Sequence, residues 1–178
     1  FSASTTGTDV EYVEVHAAPA TDLSAYRVLS IEGDRSGTAT GTLDRAITLG
    51  STDANGLYLA SLPADALENG TMTLLLVEGA VPAVGTDLDT NDDGTLDVAF
   101  SIVDGVAVHD GGANDLVYSE TVLGVAYDGA DFAPGGASRV PDGVDTDTSS
   151  DWVRNAFSRA GAPGFENLVP GGGEAYNT

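Results

Sequence analysis

Thr71-Met72-Thr73-Leu74-Leu75-Leu76-Val77-Glu78 is the stretch that decides the fold. It is short and apolar nearly throughout, so it reads as a central strand covered on both faces. Glu68-Asn69-Gly70 ahead of it reads as a turn. Working outward, Val10–His16, Arg27–Glu32, Leu43–Leu49 and Leu57–Leu62 read as strands on the N-terminal side. Ile102–Val108 and Glu120–Tyr127 follow on the C-terminal side. The apolar phase of Val10–His16 shifts between Tyr12 and Val13, which predicts a bulge or burial on two sides. From Asp128 onward Gly, Pro, Asp and Ser dominate, so 128–178 is expected to be irregular. Within it, Ser149-Ser150-Asp151 is expected to cap one short helix through Ser158, with Trp152, Val153 and Phe157 on its buried side. About seven or eight short strands with almost no helix signal predict an all-β sandwich. The expectation is a single domain over 1–178, with long acidic loops and an insertion at about 79–99.

Composition bounds the function. Hydrophobic residues make up 42% of the 178, enough to bury a core. Six basic residues against 28 acidic ones give a net charge of −22, and there is no Lys. Nucleic-acid binders need basic patches to displace counterions, so this balance argues against DNA or RNA as a partner. It argues equally against anionic membrane surfaces. No apolar run is long enough to insert into a membrane. An acidic chain repels itself as it compacts, and bound cations or high salt relieve that repulsion. With no Cys, disulfides are impossible, whereas calcium can stabilise a fold outside the cell. The chain starts at Phe1 without Met and is read as a processed or trimmed form of a secreted protein.

The insertion carries Asp87-Leu88-Asp89-Thr90-Asn91-Asp92-Asp93-Gly94-Thr95-Leu96-Asp97. Asp89, Asn91 and Asp93 alternate, Gly94 follows, and Asp97 stands four residues after Asp93. This matches the start of an oxygen-ligand calcium loop. Calcium takes about six to eight oxygens, and alternate carboxylates on a curled loop converge on one ion. The predicted metal ligands are Asp87, Asp89, Asn91, Asp93 and Asp97, with the Thr95 carbonyl. Phe100 stands where an EF-hand has its bidentate Glu, so a remote ligand is required. Asp9, Glu11 and Glu14 are the acids considered for it. Asp145, Asp147 and Asp151 form a possible second acidic cluster, which lacks a glycine turn and is read as capping a loop.

Catalytic signals are absent. His16 and His109 are the only histidines, and no Gly-x-Ser-x-Gly elbow or His-x-x-x-His pair occurs. Acids are too abundant for a carboxylate pair to mean anything. Arg139 is read as a paired structural cation, and Trp152 as a core anchor beside Val153 and Phe157.

Several segments together resemble the lamin-tail-like domains of bacterial extracellular and surface proteins. These are Tyr12-Val13-Glu14-Val15, Asp22-Leu23-Ser24-Ala25-Tyr26 and Ile102–Val108. The C-terminal pieces are Ala137-Ser138-Arg139, Asp142-Gly143, Asp145-Thr146-Asp147, Asp151-Trp152 and Gly173–Thr178. The resemblance implies an immunoglobulin-like β-sandwich serving as an extracellular module. No nuclease domain accompanies it, so no nuclease activity carries over. The expected function is a non-catalytic, calcium-binding structural or adhesion module, secreted or on the cell surface. Two alternatives are a self-assembling subunit of an extracellular fibre or surface layer, and an accessory domain of a secreted nuclease or other hydrolase. The expected partners are the chain itself, as a homo-oligomer or fibre, or extracellular matrix and surface components.

Overall fold

The computed structural model describes residues 1–3, 11–35, 39–141 and 143–154. These form β1 (Glu11–His16), β2 (Tyr26–Glu32), β3 (Leu43–Thr48), β4 (Leu57–Leu62), β5 (Met72–Glu78), β6 (Ser101–His109), β7 (Val122–Gly124), β8 (Ala137–Arg139) and β9 (Trp152–Arg154). The described residues hold several sheets and no α-helix, so the chain is all-β, consistent with a β-sandwich. It divides into two compact units.

The first unit comprises Phe1–Asp22, Ser51–Asn69 and Pro134–Thr178. β1 and β4 pair antiparallel in unbroken register, from Glu11 opposite Leu62 to His16 opposite Leu57. Of the two alternatives the bulge is therefore absent, and β1 is covered on both sides: Glu11 and Val13 are buried on one face, Tyr12 and Glu14 half-buried on the other. Glu11 is buried, and its carboxylate accepts the amides of Asp65, Ala66 and Leu67 at 2.6–2.8 Å. A buried carboxylate is tolerable only when so satisfied.

The second unit comprises Leu23–Gly50 and Gly70–Ala133. Its five-stranded sheet runs β3-β2-β5-β6-β7, which puts the Met72–Glu78 strand at the centre as expected. Leu29, Ile31, Leu75 and Val77 alternate on one face, where Leu43, Leu88 and Tyr118 complete a buried cluster. The insertion covers this cluster: Leu88 is fully buried, and Val81, Leu96, Val98 and Phe100 pack around it. Burying side chains of this size contributes about 1.5–3 kcal/mol each.

Two expectations are corrected. Glu120–Tyr127 yields only the short β7, parallel to β6, because the chain turns at Ala126 with φ of 62°. The helix expected after Ser149-Ser150-Asp151 is a single 3-10 turn leading into β9. Asp151 does not cap a helix; its carboxylate accepts the Thr146 amide at 2.7 Å and hydroxyl at 2.8 Å. Pairing of Trp152–Arg154 with Ala137–Arg139 overrides the local cap signal, and it makes a strand pair inside the segment expected to be irregular. Phe157 and Ser158 lie outside the described residues, as do Asp9, Val10, Asp142 and the Gly173–Thr178 run.

Candidate functional site

In the second unit, β2, β5 and β6 are adjacent and antiparallel. Glu32 lies opposite Met72, and Met72 opposite Val108. One or two residues beyond this row, the chain places Asp34 after β2, Gly70 and Thr71 before β5, and Asp110 after β6. Asp115 returns from the following turn. The result is a cluster of Asp34, Asp110 and Asp115, with carboxylate oxygens all within 4.8 Å of one another.

Thr71 is the hub of this cluster. It is fully buried, and its hydroxyl lies 3.1 Å from Asp110 Oδ1 and 2.8 Å from Asp115 Oδ2. A hydroxyl has one proton, so it cannot donate to both. The same oxygen accepts the Asp110 amide at 3.1 Å. One backbone amide also reaches each carboxylate: Thr71 to Asp34 at 3.1 Å, Gly112 to Asp110 at 2.9 Å and Arg35 to Asp115 at 2.9 Å. The Arg35 amide, followed by the Thr71 hydroxyl, holds the Asp115 carboxyl below its ordinary value. Arg35 itself turns its guanidinium to Asp92, at 3.3 Å.

Glycine leaves room for a carboxylate on two sides of the cluster. A Cβ on Gly70 would meet Asp34 Oδ2, and one on Gly112 would meet Asp115 Oδ2. Any side chain at either position must push a carboxylate aside.

The Asp87–Asp97 loop takes a different form. Asp89 is fully buried. Its carboxylate accepts the Asp93 amide at 3.1 Å, the Gly94 amide at 2.9 Å and the Tyr118 hydroxyl at 3.1 Å. Burial first, then Asp89, raises the Tyr118 phenol far above its ordinary value. Asp93 accepts the Thr95 amide at 2.8 Å and the Asn91 side-chain amide at 2.9 Å. Asp97 accepts the Thr90 hydroxyl at 2.6 Å and amide at 2.8 Å, and these two bonds lower its pKa. Asp87 accepts the Asp89 amide at 3.0 Å. The loop is thus curled as expected, with Gly94 at φ of 82°, and its carboxylates are turned inward onto its own amides. Thr95 is exposed at the loop tip, between half-buried Gly94 and Leu96.

The second acidic cluster, in the first unit, is spread over distinct partners. Asp145 pairs with Arg139 at 2.9 Å and accepts the Asp147 amide at 3.2 Å. Asp151 is held low by the Thr146 amide and then its hydroxyl. Arg139 also lies 4.9 Å over the Trp152 ring, which meets Phe1 edge-on at 6.1 Å. Of the acids considered as remote ligands, Glu11 is committed to its three amides and Asp9 lies outside the described residues.

Sequence reading missed the Asp34, Asp110 and Asp115 cluster because Asp34 lies some 76 positions before the other two, in a different connection. Only the strand order brings them together. No protein-family model, curated protein or solved structure matches the chain.

Proposed function

We propose that this chain is a non-catalytic extracellular module stabilised by calcium, with Asp34, Asp110 and Asp115 as the principal ligands. The carrying observation is that these three carboxylates have oxygens within 4.8 Å of one another. Two oxygens bound to one calcium at about 2.3–2.6 Å can stand no farther apart than about 4.6–5.2 Å, so one ion fits the spacing. The donor set is all oxygen, as a hard cation prefers, and the backbone amides fix the orientation of each carboxylate. When bound, calcium would offset the mutual repulsion of three carboxylates and cross-link the ends of β2 and β6.

The loop at Asp87–Asp97 is a second, weaker site in this reading. Binding there asks Asp93 and Asp97 to exchange internal amide and hydroxyl donors for the ion. Asp89 anchors the curl through its buried contacts. The resemblance to lamin-tail-like extracellular domains supports a structural or adhesion role, and so does a charge of −22 without Lys.

The test is thermal unfolding with and without calcium at constant ionic strength. Binding to the folded form alone raises the midpoint. Asp115→Asn and Asp110→Asn should each remove most of the rise. An unchanged rise in both variants would reject the cluster as the ligand set.

A further inference from the structure

The second candidate surface is the outer edge of β6. β7 pairs with β6 only along Ala107–His109, so among the described residues Ser101–Val106 has a strand on one side alone. Ile102 and Val103 on this stretch are 51% and 55% exposed. On the chain that leads into β7, Ser119 packs against Gly105, and Val117 to Glu120 line an open groove of about 490 Å³ with Ile102. Leu96, Val98, Phe100, Ile102 and Val117 supply its apolar walls and Glu120 its one charge. That volume lies within the range of ligand sites, about 300–1,000 Å³.

The edge also carries negative charge. The Ala107 amide donates to Thr121 O, so it points to the β7 side. Amides of one strand alternate, so the Gly105 amide points to the same side. It donates to Asp104 Oδ1 at 2.7 Å, which folds the Asp104 carboxylate over the open edge. An isolated apolar edge invites another chain. A second copy of this chain would bring its own −22 charge to an edge already acidic. A cationic strand meets the opposite field.

We propose that the Ser101–Val106 edge and its groove are a docking slot for an extended segment of a partner protein that alternates apolar and basic side chains. The apolar side chains enter the groove beside Ile102. The basic ones face Asp104 and Glu120, and main-chain bonds add to the exposed Ser101–Val103 end of the edge, because Asp104 already holds the Gly105 amide. The proposal names a partner for the module without resting on calcium.

The experiment titrates the full chain with the capped peptide (Lys-Val)4 by calorimetry at physiological salt, in calcium and in chelator. Saturable binding is expected in both, so failure of the calcium reading leaves this result standing. Ile102→Asp and Val103→Asp sit at exposed positions and add a negative charge that on its own favours a cation. Loss of an apolar contact should nevertheless weaken binding by about 10-fold or more. Val84→Asp, at an apolar position 60% exposed on the same unit, should leave affinity unchanged. The equally charged (Lys-Ser)4 should bind at least about 10-fold more weakly, because the apolar contribution is gone. Equal binding of the two peptides, or equal affinity in the Ile102 and Val103 variants, would mean diffuse attraction to an acidic surface and overturn the slot. Concentration-dependent self-association abolished by Ile102→Asp would make a second copy the occupant and overturn it as well.

Discussion

Asp89 and Tyr118 illustrate how single residues serve this fold. Asp89 is a fully buried carboxylate that holds two amides of its own loop and the Tyr118 hydroxyl. Tyr118→Phe removes a hydrogen bond to a charged group and should cost about 1.5–3 kcal/mol in chemical denaturation. A change below a few tenths of a kcal/mol would mean the hydroxyl contributes nothing. The same contact sets an alkaline limit. Because the phenol pKa is raised in the folded chain, its stability contribution is complete below the ordinary phenol value, about 10. It is lost as the pH climbs above that value toward the raised one. One tyrosine should therefore ionise only together with unfolding in an absorbance titration, and Tyr118→Phe should remove that coupled step. Asp97, Asp115 and Asp151 act in the opposite sense. Their lowered pKa values give stability that is present above the ordinary carboxyl range and lost as the pH falls through the lowered values. The loop's residue types were legible in the sequence, since alternating Asp and Asn before Gly94 dictate a curl. Which oxygens face inward was not, because that depends on Tyr118, 29 positions away in the chain.

At the scale of elements, the insertion is a lid on the β2–β5 face, pinned by Leu88. Leu88→Ala should cost about 2–5 kcal/mol by opening a cavity under the loop. A loss below about 1 kcal/mol would show that the loop packs independently of the sheet. The strands from β1 to β6 were legible because their apolar runs are short and bounded by Gly, Asn and Asp. β8 and β9 were not. Each is three residues long, and each is a strand only because the other pairs with it. Ser149-Ser150-Asp151 carries a real turn signal, but a cap cannot establish a helix when the next residues gain a partner strand. The Asp34, Asp110 and Asp115 cluster belongs to this scale too. Three strand ends meet there because the register aligns Glu32, Met72 and Val108. No local pattern in the sequence carries that information.

For the whole molecule, charge is the dominant constraint. A net −22 with six basic residues opposes compaction. Salt shortens the reach of that repulsion from about 10 Å at 0.1 M to about 3 Å at 1 M. Raising sodium chloride over this range should raise the thermal midpoint by several degrees. A midpoint that is flat or falls with salt would show that the acidic groups are already compensated within the fold. In the proposed reading calcium acts on top of this screening, because it would be bound at a place and not merely accumulated. The most direct test is therefore calorimetric titration of calcium into the protein in 1 M sodium chloride, where diffuse attraction is suppressed. Saturable binding is predicted in the weak range of extracellular modules, about 10⁻⁴–10⁻³ M, with its tighter step lost in Asp115→Asn and retained in Asp145→Asn. No saturable heat up to several times that concentration, or binding that Asp115→Asn leaves intact, would contradict the account.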